Sequence, residues 1–184
     1  MRSASGGMKT VDMAYIALFA VVLTICSWIT IPGIVPYTMQ TFGVFLAVGV
    51  LGGRRGTLAV LIYLLLGAIG LPVFSGFAGG IGYLLGATGG YIMGFLFAAL
   101  TMWGLECLIG RKKWGLLLSF ALGLVVCYAF GTLWFMRVYY GQNNSVGLWT
   151  TLTWCVFPYV FPDLIKIGAA WVVGRRLSKA FRII

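Results

Sequence analysis

Residues 44–66 read VFLAVGVLGGRRGTLAVLIYLLL. Two apolar runs flank a Gly-Gly-Arg-Arg-Gly turn, and each is shorter than the roughly 20 residues a membrane span requires. How this stretch is divided sets the helix count. If Arg54 and Arg55 separate two helices, the chain folds with six. With four or five helices, one basic cluster falls on the side of the membrane opposite the others.

Composition makes the membrane the right frame. The 184 residues are 61% hydrophobic and only 9% charged, with a mean hydropathy of +1.04. A soluble domain is about half apolar and about a quarter charged. A globule of this size has no interior large enough for the surplus, so the expected class is an all-α integral membrane protein. Residues 1–184 are read as a single membrane domain. The N-terminal MRSASGGMKTVD lacks the apolar core and cleavage site of a signal peptide, and its Ser/Gly-rich residues 1–7 are set aside from fold reasoning. The net charge of +10 does not point to nucleic acid, because the basic residues form short clusters between apolar runs.

The apolar runs place helices over roughly 13–31, 42–53, 58–71, 90–109, 116–136 and 158–179. Arg2 and Lys9 precede the first. Arg54 and Arg55 part the second from the third, and Arg111–Lys113 part the fourth from the fifth. Arg175, Arg176, Lys179 and Arg182 close the chain. Of 13 basic residues, these 11 fall on one side, Arg137 on the other and Lys166 within a span. The positive-inside rule then puts both termini in the cytoplasm. The opposite loops, 32–41, 72–89 and 138–153, are uncharged apart from Arg137 at a border, and rich in hydrogen-bonding groups. Binding residues concentrate in such loops.

Small residues suggest packing faces. Gly82, Gly86, Gly90 and Gly94 recur every four residues, which on a helix makes one smooth face; the other reading is that Gly79, Gly80 and Gly82 let a loop fold tightly over a ligand, and both hold if residues 72–88 are loop and Gly89 onward is helix. Ala14, Ala17 and Ala20 recur every three in the first helix, a strip suited either to packing within the bundle or to docking another membrane subunit.

The acidic residues are Asp12, Glu106 and Asp163. Glu106 lies about a turn before Arg111–Lys113 and reads as a structural partner of that cluster. FPDLIK, residues 161–166, is different, because it places a carboxylate and an amine inside an apolar segment. Ionisable groups there cost about 2.5–3.5 kcal/mol on insertion scales and mark functional sites by default. Asp163 and Lys166 stand at i and i+3, on one helix face. A helix start near Pro162 puts Asp163 in the first turn, where the helix dipole favours a carboxylate. The pair reads either as an internal salt bridge fixing helix packing or as the anchor for a ligand's polar head.

An enzyme is not expected. The chain has no histidine, so Ser/His/Asp and Cys/His sets are excluded, and catalytic carboxylates are not paired. Four cysteines without a CxxC pair give no metal cluster. No Walker motif is present, so the chain does not power transport itself. A substrate-binding subunit, a stand-alone secondary transporter or channel, and a purely structural membrane protein remain.

The ordered set VPYTMQTFGVFLAVGVLGGRRGTLAVLIYLLLGAIGLPVF (35–74), GGYIMGF (89–95) and FPDLIK (161–166) resembles the BioY family, the biotin-specific S components of energy-coupling factor (ECF) transporters. The resemblance runs from about Lys9 to Arg176. It implies the six-helix S-component fold, high-affinity biotin binding from the outer side of a prokaryotic cell membrane, and assembly with a transmembrane T component and two ABC ATPases. It implies no cofactor in this chain, with ATP used only by the partner ATPases. The family's PDxxK-type motif maps onto Asp163 and Lys166, and its Pro-x-Thr-x-Gln-Thr loop onto Pro36, Thr38, Gln40 and Thr41. Asp163 is then expected to accept from the ureido N–H groups. Lys166 donates to the ureido oxygen or balances the carboxylate, with Arg137 as an alternative partner for the latter. Tyr91 and Trp149 are expected to cover the ring and Gln40 to close the outer side. The first-helix strip that faces the T component corresponds to Ala14, Ala17 and Ala20, spaced differently from the family's AxxxA.

Overall fold

The computed structural model describes residues 9–33, 35–143 and 147–180. Arg2 and Arg182 lie outside them, as do residues 1–7. The elements are α1 (Thr10–Trp28), a hairpin of β1 (Thr30–Ile31) and β2 (Tyr37–Thr38), α2 (Gln40–Leu51), α3 (Gly53–Ala68), a 3₁₀ turn (Ser75–Phe77), α4 (Ile81–Leu85), α5 (Gly89–Ile109), α6 (Lys113–Asn143), α7 (Leu148–Cys155) and α8 (Phe157–Ala180). Among the described residues α1, α2, α3, α5, α6 and α8 are the long helices, six in all. Three of these, α1, α5 and α6, are long and apolar enough to cross a membrane, and α7 with α8, bent by 44°, makes a fourth span if counted as one.

The Arg54–Arg55 turn does separate two helices. Gly52 adopts φ +87° between α2 and α3, a conformation glycine takes at no steric cost. The two helices then fold back at backbone contact. A Cβ on Gly56 would stand 2.6 Å from Val48 Cα. All of α2 except Phe42 is buried, so this 12-residue helix is a core element that meets protein rather than lipid. Its length therefore need not match the bilayer.

One end of the bundle is clipped by charge. Glu106 accepts from the Gly53 backbone N–H at 2.7 Å, filling a donor left open at the start of α3. Arg111 donates to the Gly49 carbonyl at 2.7 Å and approaches Glu106 at 4.0 Å. Arg55 pairs with Asp12 at 3.0 Å, and Gly174 of α8 lies beside Gly49. The basic clusters that fall within the described residues therefore gather at one end of the molecule. Glu106 is structural, as its spacing suggests.

Three expectations are corrected. Residues 29–31 fall outside the first helix, and β1 pairs with β2 in a hairpin, with Thr30 opposite Thr38 and Ile31 opposite Tyr37; Pro32 and Gly33 favour the turn between them. The last helix begins at Phe157, not near Pro162, which sits inside it. Pro158 occupies the first turn, where its missing N–H costs nothing, and Pro162 forfeits a single bond. Asp163 is thus the seventh residue of α8, beyond the reach of the dipole argument. The glycine row divides at Gly89, where the helix is expected to begin: Gly90 abuts Trp134 and Gly94 abuts Cys127, whereas Gly82 belongs to the short α4 and Gly86 follows it. The alanine strip also divides, because Ala14 and Ala17 are exposed while Ala20 is buried in the core.

The backbone contact at Gly56 generates a stability prediction. Gly56→Ala should lower the melting temperature of the detergent-solubilised chain by roughly 3–10 °C, the scale of overpacking by one methyl in a domain of this size. Gly104→Ala on α5, where a Cβ meets nothing within 4 Å, should leave it unchanged or raise it. Equal melting temperatures for Gly56→Ala and the parent chain would mean that close approach at Gly56 is not limiting.

Candidate functional site

At the end of the bundle away from the basic clip, the hairpin, the start of α2, the 72–88 segment and α5, α6 and α8 enclose a cavity. Its empty space, the open mouth included, is about 610 Å³. Ile92, Phe95 and Leu124 supply apolar wall. The 72–88 segment is held over it by Phe74, which is fully buried, stacks on Tyr83 and meets Tyr63 edge-on, both at 5.6 Å between ring centres. Ser75 and Thr88 line the cavity from this segment, and Ser75 is hydrogen-bonded to the Thr30 hydroxyl at 2.8 Å. Burial raises the pKa of the Tyr83 hydroxyl, so it stays protonated at neutral pH.

Asp163 and Lys166 lie in one wall, 5% and 6% exposed. Their buried neighbours Ile167 and Ala170 continue the same face of α8, whereas Leu164 and Ile165 are exposed. Lys166 Nζ donates to Asp163 Oδ1 at 2.8 Å and to the Thr38 carbonyl at 2.7 Å, and sits 3.8 Å from the centre of the Tyr37 ring. An ammonium has three donors, so two hydrogen bonds and a cation–π contact occupy all of them. Asp163 Oδ2 accepts from the Tyr128 hydroxyl at 2.6 Å. A carboxylate offers about four acceptor positions, and two remain. The wall is therefore short of donors and has acceptors to spare.

The network continues along the wall. Thr38 donates its hydroxyl to Gln40 Oε1 at 2.9 Å, and Gln40 Nε2 donates to the Tyr63 hydroxyl at 2.6 Å. Tyr159 donates to the Val35 carbonyl and its ring stacks on Tyr37 at 5.9 Å. Gln40 is 4% exposed and held at both ends of its amide, so it forms wall rather than an outer cover.

Of the six binding residues the sequence nominates, Asp163, Lys166, Gln40, Thr41 and Tyr91 all line this cavity. Arg137 does not. It is exposed on α6 and outside the lining, which leaves Lys166 as the lone basic lining residue among those described. Trp149 is 72% exposed on α7, packs edge-on against Phe157 and also lies outside. Tyr91 bonds Thr132 at 3.3 Å and forms part of the side wall. Sequence reasoning missed Tyr128 and Tyr159. The second had a signal, because it stands four residues before Asp163 and so on the same helix face.

The BioY family model matches residues 1–183. The chain belongs to the BioY family. The probable biotin transporter BioY of Pyrococcus horikoshii is 39% identical over 172 residues, covering 93% of this chain and 98% of that protein. The biotin transporter BioY of Thermotoga maritima is 41% identical, covering 88% and 92%. A solved structure, the S-component for biotin from an ECF-type ABC transporter, superposes with a TM-score of 0.81 at 28% identity, covering 96% of this chain and 95% of that one. The six-helix arrangement is thus the BioY S-component fold.

The buried pair yields a prediction about the ligand-free chain. Lys166→Met leaves Asp163 buried without its counter-charge and should destabilise the protein by roughly 3–5 kcal/mol. Adding Asp163→Asn should recover most of that loss, because a neutral wall has no uncompensated charge. Thermal melts of the three proteins check this, and a double variant no more stable than Lys166→Met would refute it.

Proposed function

We propose that this chain binds biotin with high affinity and takes it up across the cell membrane as the substrate-specific subunit of an ECF-type ABC transporter. The observation that carries this reading is the Asp163–Lys166 pair, set in the wall of a largely apolar cavity in a chain of the BioY family. Biotin presents a compact bicycle with ureido N–H donors and a carboxylate tail. The two unused acceptor positions on Asp163 suit those N–H groups through charge-assisted bonds, and Ile92, Phe95 and Leu124 suit the ring. An acceptor on the ligand, whether ureido oxygen or carboxylate, gains a bond from Lys166 only by replacing the Thr38 carbonyl or the Tyr37 ring. With Arg137 outside the cavity, the carboxylate meets Lys166 or the neutral hydroxyls of Ser75 and Thr88.

The basic end faces the cytoplasm by the positive-inside rule, so both termini are cytoplasmic and the cavity opens outward. The membrane is the plasma membrane of a prokaryote. A T component and two ABC ATPases complete the transporter and hydrolyse ATP, and this chain is not an enzyme. The exposed Ala14 and Ala17 of α1 offer the T component a small-residue strip, without Ala20.

Calorimetry on the purified chain, with neither partners nor an ion gradient, tests the function. Biotin should bind, and Asp163→Asn should weaken it by about 10- to 100-fold, the scale of a lost hydrogen bond to a charged group. Unchanged affinity in Asp163→Asn would remove that residue from the site. Gradient-driven biotin uptake by the chain alone in liposomes would instead identify a secondary transporter.

A further inference from the structure

Tyr128 is neither part of the motifs that point to biotin nor a neighbour of Asp163 in sequence. It reaches Asp163 from another helix. α6 packs along α5 and meets α8 only sparsely, yet the Tyr128 hydroxyl donates to Asp163 Oδ2 at 2.6 Å. The bond thus joins two helices that otherwise share little packing. Both Tyr128 and Asp163 line the cavity.

Without this bond, Lys166 alone would hold the carboxylate, through Oδ1 at 2.8 Å. One donor fixes the position of one oxygen but not the plane of the group, because the terminal torsion of an aspartate is broad. A second donor, from another helix and on the other oxygen, fixes that plane. We infer that Tyr128 is a positioning residue for ligand recognition: its hydroxyl sets the rotation of the Asp163 carboxylate so that the unused acceptor positions face the ligand's N–H groups. A preset carboxylate loses less rotational freedom on binding, and the gain appears as affinity. Tyr128 therefore acts through Asp163. The inference rests on the reading of Asp163 as the acceptor for biotin.

The test is a double-mutant cycle on biotin affinity, read by calorimetry on the solubilised full chain and accompanied by ligand-free thermal melts. Tyr128→Phe keeps the ring and removes the donor. It should weaken biotin binding by about tenfold, with little change in melting temperature. In the Asp163→Asn background the same change should alter affinity by no more than about twofold, since a residue acting through Asp163 loses its effect when the carboxylate is gone. Three outcomes overturn the inference while leaving biotin binding intact. Tyr128→Phe binds as well as the parent chain; it loses the same factor in both backgrounds; or it fails to fold even with biotin present, which would make the bond structural. A parent chain that does not bind biotin, or an Asp163→Asn chain that binds undiminished, would overturn the function or site reading first and this inference with it.

Discussion

The arrangement of the site depends on one ammonium group with no donor to spare. Lys166 lies in a helix whose neighbouring residues face lipid or apolar core, and a charge there is stable only if it is paired and fully hydrogen-bonded. Asp163 supplies the charge, the Thr38 carbonyl a second acceptor and the Tyr37 ring a third contact. Thr38 and Tyr37 belong to β2, so satisfying Lys166 draws the hairpin onto α8. The hairpin in turn sets Gln40 at the head of α2, and Gln40 reaches Tyr63 on α3. A chain of polar contacts that starts from one lysine thus ties α8, the hairpin, α2 and α3 together around the cavity.

The opposite end obeys the same rule with different groups. Helix ends leave backbone donors and acceptors open, and a short buried helix such as α2 has little water at hand to satisfy them. Glu106, near the end of α5, and Arg111, in the α5–α6 connection, meet the Gly53 N–H and the Gly49 carbonyl. Close packing does the rest. Gly56 lets α3 approach the backbone of α2, and Gly49 leaves room for the Phe120 ring of α6. A 12-residue helix is therefore stable within a membrane bundle because neighbouring helices, rather than lipid, surround its length and complete its ends.

Much of this was legible in the sequence, and the failures share a cause. Charge clusters between apolar runs gave the helix count, because the preference of Lys and Arg for one side is strong. Asp163 and Lys166 declared themselves because a charge in an apolar run is costly, and their spacing put them on one face. Which way a wholly apolar helix turns was not legible. In a soluble helix, polar residues mark the outside. In α5 and α6 the outside meets lipid, both faces are apolar, and the amphipathic asymmetry nearly vanishes. The sequence therefore held no sign that Arg137 faces away from the cavity while Tyr128, nine residues earlier on the same helix, faces Asp163. Ala20 and Ala17 were separated for the same reason. Pro162 misleads for another reason: a proline favours a helix start, yet α8 runs through it with one bond missing.

The distribution of donors and acceptors decides what such a cavity selects. Donors on the wall are committed: all those of Lys166, the hydroxyls of Tyr128, Thr38 and Tyr159, and one arm of the Gln40 amide each have an acceptor in the protein. Asp163 alone combines a full negative charge with open acceptor positions. A ligand that brings N–H groups gains bonds there without breaking any, whereas a ligand that brings only acceptors must first displace a protein group. A buried acceptor left without a donor costs about 1–3 kcal/mol, so the wall discriminates against acceptor-only heads more strongly than apolar contact alone would. The carboxylate of such a ligand is then best placed away from Asp163, towards the mouth, where water and the hydroxyls of the 72–88 segment are within reach.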